Sequence, residues 1–231
     1  MWTSCLTRWR PWTAATLVLV ALAGCQALPS APKEPVPYDL GPAPRATAPA
    51  PPPTSAQPQP VALVLADIQA PWQSEGTGTA MHYRLAYAQP QALYAYSLAS
   101  WRLPPELLVQ ERLRQWLSQD GRTVLSAEGG RIPPQLDDGA PQPLTLQLAL
   151  EEFHQTFDDA THSHAQVRLR ATVTRPQPQG EVLLGQRVFV STPAAPSADA
   201  AGGAQALTLA IDQIAAQLLP WLQQWAPAPQ P

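Results

Sequence analysis

The sequence predicts an α+β fold: one mainly antiparallel sheet with two helices packed on one face, behind a secretion signal and a proline-rich segment. Three observations carry this. Apolar and polar residues alternate strictly over 144–150 and 167–173, which is the pattern of a sheet with one wet face. Two longer stretches, about 104–120 and 199–225, instead repeat apolar residues at helical spacing. Twelve of the 29 prolines crowd between residues 29 and 60 of the 231-residue chain, so that part is linker rather than core.

Composition excludes several function classes. The net charge is -3, and the basic residues are thirteen arginines and one lysine, Lys33. No basic patch stands out, which argues against nucleic-acid binding by a charged surface. One lysine is too few for an electrostatic membrane anchor, so attachment to a membrane must be covalent or hydrophobic. Both cysteines, Cys5 and Cys25, precede the body of the protein. A disulfide framework, a thiolate zinc site and a cysteine nucleophile in the folded part are therefore excluded.

The N-terminus reads as an address. Arg8 and Arg10 are followed by an uncharged stretch, 11–23, rich in Ala, Leu and Val. It is shorter than the roughly 20 residues that span a bilayer and suits the apolar region of a secretion signal. It ends in Leu22-Ala23-Gly24-Cys25, which resembles the lipobox of bacterial lipoproteins. The other reading is an ordinary signal peptide with a chance cysteine. In the lipoprotein family the cysteine thiol takes a diacylglyceryl group, the signal is cut before it, and the new amine is acylated. Small side chains at Ala23 and Gly24 give a protease access to the backbone. Several acyl chains anchor stably where one would not, since each buried methylene contributes about 0.8 kcal/mol. Gln26, in place of aspartate, favours the outer membrane by resemblance to enterobacterial lipoproteins. Cleavage leaves 207 residues with a net charge of -5.

Residues 25–60 form a tether or loop, interrupted by Tyr38-Asp39-Leu40-Gly41 as an edge strand at 38–41. A tether of residues 26–60 would reach roughly 110 Å as a polyproline helix and about 30–35 Å as a flexible coil. The domain proper is expected at 61–225 and a disordered tail at 226–231. Strands are expected at 61–68, 80–87, 92–97 and 123–126. The alternating sets are Leu144/Leu146/Leu148/Leu150, Val167/Leu169/Ala171/Val173 and Val182/Leu184/Val188/Val190. Arg168 and Arg170 then face solvent or a partner. Pro104-Pro105 sets the first turn of a helix, where a missing N–H costs nothing. Leu107, Leu108, Leu113, Trp116 and Leu117 make its apolar face, with Glu111, Arg112 and Arg114 around it and Gly121 as the stop. The last helix carries Leu207, Ile211, Ile214, Leu218, Leu222 and Trp225 on one stripe. Pro220 predicts a kink or break near 217–219.

The search for chemistry finds no Gly-x-Ser-x-Gly elbow and no phosphate loop. Ala127-Glu128-Gly129-Gly130 lacks the lysine, and Gly202-Gly203 at a helix start reads as close packing. Asp158, Asp159, His162 and His164 are the best metal candidates, because His-x-His at a strand start puts both rings on one face. The same residues suit a polar hairpin loop. Glu151-Glu152 and Asp137-Asp138, adjacent on strands, are expected on opposite faces. His82 reads as a surface residue. Trp72 and Trp101 sit in loops beside prolines, where partner contact and core packing both remain open.

Several segments together resemble a known family. These are Met81-His82-Tyr83-Arg84-Leu85-Ala86-Tyr87, then Tyr96, then Trp101-Arg102-Leu103-Pro104-Pro105-Glu106-Leu107-Leu108. Leu150-Glu151-Glu152-Phe153-His154-Gln155-Thr156-Phe157-Asp158 and the helix start Asp199-Ala200-Ala201 complete the set. Behind the lipobox they resemble the ABC-type transport auxiliary lipoproteins, the third component of paraquat-inducible (MCE) systems, over about residues 38–225. Ser100 stands before Trp101 where that pattern leads one to expect an arginine. The resemblance implies a non-catalytic outer-membrane lipoprotein held at Cys25, without cofactor or metal. Its partner would be the MCE-domain protein of an inner-membrane ABC transporter that moves lipids, and a homo-oligomer remains open. Weak candidates for partner contact are Arg168, Arg170, Trp72 and Trp101. The alternatives are a lipid-anchored periplasmic metal-dependent enzyme and a scaffold lipoprotein for outer-membrane complex assembly.

Overall fold

The leucines at 144, 146, 148 and 150 all turn into the interior, and the strand that carries them is the beam on which the sheet is assembled. The computed structural model describes residues 33–42, 62–72, 78–119, 122–127 and 142–225. The chain divides into Met1–Glu34 and Pro35–Pro231, and the fold belongs to the second unit. The signal, Cys25, Gly121, the Asp137-Asp138 pair and the tail lie outside the described residues, as does most of the proline-rich stretch.

In chain order the elements are β1 (Val36–Tyr38), β2 (Leu63–Leu65), β3 (Ala80–Leu85), β4 (Gln89–Trp101), α1 (Pro105–Ser118), β5 (Val124–Ser126), β6 (Leu144–Phe157), β7 (Ser163–Gln177), β8 (Gly180–Ser191) and α2 (Ala200–Gln223). The long ladders, β6–β7 and β7–β8, are antiparallel, as is the β3–β4 hairpin. Short strands add in parallel. One edge of β6 carries β2 at its start, opposite Leu144–Leu146, and β3 at its end, opposite Gln155–Phe157. The sheet therefore forks along β6, with β5 beyond β2 on one arm and β4 then β1 on the other.

The expected strands are present with shifted ends. The edge strand expected at 38–41 is found at Val36–Tyr38, and Leu40 leaves the sheet to enter the core at 4% exposure. The third alternating set is inverted in part: Phe189 and Ser191 face the core while Val182, Val188 and Val190 are exposed. A register slip between Val173 and Thr174, opposite Leu184, changes the phase of β8 and turns Val188 and Val190 outward.

Helix α1 begins as expected, with Pro105 in its first turn. Its buried face is Leu108, Val109, Arg112, Leu113 and Leu117, whereas Leu107 is exposed. Arg112 was expected at the surface and is instead sunk between the helices. Its Nε and Nη2 both donate to Asp212 of α2 at 2.7 Å. Nη1 donates to the carbonyls of Leu40 at 2.7 Å and Pro42 at 3.1 Å. Trp116 Nε1 also donates to Asp212, at 2.8 Å. One buried ion pair thus joins both helices and the N-terminal segment.

Helix α2 is capped by Asp199, whose carboxylate accepts from the Gly202 N–H at 2.8 Å. That bond, with a second from Ser197, holds the Asp199 carboxyl below its usual range. The expected stripe is buried from Leu207 to Leu222. The helix continues through Pro220 instead of breaking near 217–219, because Pro220 and Ala216, whose carbonyl loses its donor, lie on the exposed side. The aromatic end of the helix closes on β8: Trp221 packs against Phe189 and Trp225. A side chain at Gly185 would meet the Trp225 ring at 2.7 Å.

Gly203 does provide close packing. A Cβ there would lie 2.1 Å from Gln155 Oε1. Gln155 is fully buried, accepts from Tyr96 Oη and donates to Ser163 Oγ, both at 2.8 Å. Gly203→Ala is expected to cost about 1–3 kcal/mol, lowering the melting temperature by several degrees. Gly78→Ala, with nothing within 4 Å, serves as the neutral control in the same calorimetric scan. Arg112→Ala leaves the partly buried Asp212 carboxylate with only the Trp116 N–H and is expected to cost about 2–4 kcal/mol, measured by urea unfolding.

Candidate docking surface

The face of β6–β7–β8 away from the helices is polar and half exposed. On β7 the alternation places Ala165, Val167, Leu169, Ala171 and Val173 inside at 0% exposure. Gln166, Arg168, Arg170 and Thr172 stand on the outer face, so both arginines are where the alternation put them.

The acidic pair opposite them is not where it was expected. Glu151 and Glu152 share the outer face because β6 has a bulge between Leu150 and Glu152. Leu150 faces Leu169, Glu152 faces Arg168, and Glu151 is the extra residue. Glu151 accepts from Arg170 Nε at 2.7 Å and lies 3.6 Å from Arg168 Nε. Glu152 accepts from Gln166 Nε2 at 2.6 Å. Two guanidiniums, 41% and 43% exposed, therefore share one carboxylate. The signal was present in the sequence: the apolar phase passes from even positions (Leu144 to Leu150) to odd ones (Phe153, Phe157).

Along β8 the outer face continues with Val188 and Val190, 37% and 44% exposed, beside Arg170 and Arg168. Gln186 ties this strand back by donating to Thr172 Oγ1 at 2.9 Å. Among the described residues β8 pairs only with β7, so its outer edge keeps a row of unpaired backbone N–H and C=O groups. The other edges are blunted: β1 and β5 have three residues each, and β1 contains Pro37. A long apolar edge is an aggregation hazard that folds ordinarily suppress with charge or proline. From Gly180 to Ser191 β8 has no proline and only Glu181 and Arg187 as charges.

The metal candidates do not converge. Asp159 closes a turn, accepting from the N–H of Thr161 at 2.6 Å and of His162 at 2.8 Å, with His162 Nδ1 at 2.8 Å. These contacts, the Thr161 N–H foremost, hold its carboxyl well below the usual range. Asp158 takes His164 separately, at 2.9 Å. No group of three or more His, Cys, Asp or Glu among the described residues could hold a metal ion. A groove of about 530 Å³ beside this turn is lined by both histidines, Thr192 and Pro196.

Trp101 is 2% exposed and packs on Phe153 with ring centres 5.4 Å apart, so its indole belongs to the core and not to a partner surface. Trp72 is half buried, with its ring edge-on to His82 at 5.6 Å. His82 is therefore not a plain surface residue, and burial lowers its pKa. At the fork of the sheet His154 is 6% exposed. Burial lowers its pKa to about 4, with the Arg84 guanidinium, 3.4 Å away, acting in the same direction.

The geometry defines an α+β domain whose single sheet forks on one strand, with helices on one face and a polar, one-edge-open face on the other. The sequence matches no family model and no curated protein. Solved structures share the fold. A protein from Xanthomonas campestris described under the family DUF330 superposes with a TM-score of 0.56 at 19% identity, covering 73% of this chain and 88% of its own. A crystal structure titled only as an uncharacterized protein superposes at 0.53 with 11% identity, covering 82% and 99%. Both likenesses are of fold.

His154 makes stability depend on pH. Its pKa falls from about 6.5 unfolded to about 4 folded, so between these values the unfolded chain binds more protons. Stability is complete above pH 6.5 and is expected to fall by about 3 kcal/mol as pH drops to 4. His154→Gln should flatten that slope in urea titrations at pH 4 to 7.

Proposed function

We propose that this chain is a non-catalytic lipoprotein, held by an acylated Cys25 at the periplasmic face of the outer membrane. There it docks the MCE-domain protein of an inner-membrane lipid transporter. The observation that carries the reading is the unblunted edge of β8, flanked by Val188, Val190 and the two arginines that share Glu151. A partner strand added there would satisfy the open backbone groups, and the valines would provide apolar anchors. The half-exposed guanidiniums of Arg168 and Arg170 would offer donors to acceptors on the partner. The lipobox and the resemblance over residues 38–225 support the anchor and the transporter. The absence of a nucleophile elbow and phosphate loop in the sequence, and the splitting of the Asp/His candidates into separate pairs, support an adaptor rather than an enzyme.

Detergent extracts of cells expressing the full chain test this by affinity capture with photo-crosslinkers at Val188 and Val190. The expected product is a crosslink to an MCE-domain protein. Val188→Glu with Val190→Glu should weaken retention tenfold or more with the melting temperature unchanged. Captures that repeatedly lack any MCE-domain protein would overturn the reading.

A further inference from the structure

The hairpin formed by β7 and β8 carries apolar side chains on both faces of its tip. The strands meet at a two-residue turn, Pro178-Gln179, with Gln177 opposite Gly180 and Arg175 opposite Val182. Val182 and Leu183 are neighbours along β8, so they point to opposite faces. Both are exposed, at 41% and 62%, and Leu183 is the most exposed large apolar side chain among the described residues. Their cross-strand partners do not cover them: Arg175 is itself exposed, and Thr174 turns its hydroxyl to Glu181. A flat partner laid on the sheet would cover one of the two and leave the other in water. A strand added along the β8 edge would flank both and cover neither from above. An apolar medium that admits the whole tip covers both at once.

Charge points the same way. After Asp212 no side chain is charged through to Pro231, so the second half of α2 is neutral. Its end stands at the root of the hairpin, where Trp225 packs against Gly185. Between Pro176 and Gln186 the one charged side chain is Glu181, and it is tied back by accepting from Thr174 Oγ1 at 2.9 Å. Arg175 can lay its stem along the tip and keep its guanidinium at the level of lipid phosphates. The half-buried Trp225 supplies an indole of the kind that settles between lipid and water. We propose that the tip of the β7–β8 hairpin, residues 175–184, dips into the headgroup and upper acyl region of a phospholipid bilayer. The domain would then have a hydrophobic hold on a membrane in its own right, while β8 from Gln186 onward stays open to a partner strand. The proposal goes beyond the docking reading and does not require acylation of Cys25.

The test uses the chain purified from cell membranes and reconstituted in phosphatidylethanolamine/phosphatidylglycerol vesicles that carry a spin-labelled lipid. An environment-sensitive fluorophore sits on Leu183→Cys, or on Leu209→Cys as the control. Leu209 is also apolar and exposed, but it lies roughly four turns, or 24 Å, before Trp225 along α2. Quenching at 183 should be about threefold that at 209, with the emission shifted to the blue. Val182→Asp beside the label should at least halve the quenching with the melting temperature unchanged, because the side chain is exposed. Gln179→Glu in the turn serves the same purpose should that variant fail to fold. Quenching no stronger at 183 than at 209, in a folded chain that floats with the vesicles, overturns the proposal and leaves the anchor at Cys25 standing. A blue shift that needs no vesicles and grows with protein concentration shows that a second copy covers the tip, and overturns the proposal as well. Strong quenching at 183 in a chain whose N-terminus proves unacylated supports the tip and strikes the anchor alone.

Discussion

The ion pair between Arg112 and Asp212 is the constraint on which the arrangement of the chain depends. A guanidinium removed from water must have its donors satisfied, or the desolvation cost exceeds what the pair returns. Here the planar fork meets both oxygens of one carboxylate, and a third nitrogen takes two backbone carbonyls from a segment some seventy residues earlier. No lysine could do this, because an ammonium offers no fork. The geometry fixes the two helices against each other and draws Leu40 into the core, so the start of the domain is decided by a residue on its first helix.

The second organising feature is the bulge in β6. One extra residue at Glu151 reverses the phase of the strand, so the leucines before it and the phenylalanines after it reach the same interior. It also puts Glu151 beside Arg168 and Arg170, which otherwise would repel each other on neighbouring outward positions. A second slip, at Leu184 in β8, turns Val188 and Val190 outward. The outer face thus takes its character from two register irregularities rather than from composition.

The fork follows from the unequal lengths of the strands. β6 has fourteen residues, and neither β2 with three nor β3 with six can cover its edge alone. The two therefore share it end to end. His154 and the Trp72–His82 contact lie on the β3 arm of this fork. Trp72 Nε1 and His82 Nδ1 are cut off from water and, among the described residues, have no hydrogen-bond partner. The result is a pH-sensitive spot on a sheet that is otherwise held by long antiparallel ladders.

What the sequence determined by itself was whatever depends on local period and local chemistry. Alternation marked β6 and β7, the Pro104-Pro105 start marked α1, and Asp199 marked the start of α2. Tertiary structure alone decided the rest. Arg112 reads as a surface residue because its partners are 100 and 72 residues away. The outward valines of β8 follow a slip that only pairing with β7 reveals. Helix α2 passes Pro220 because its missing bond falls on the solvent side. In each case the deciding contact joins residues distant in sequence, and no period along the chain records such a contact.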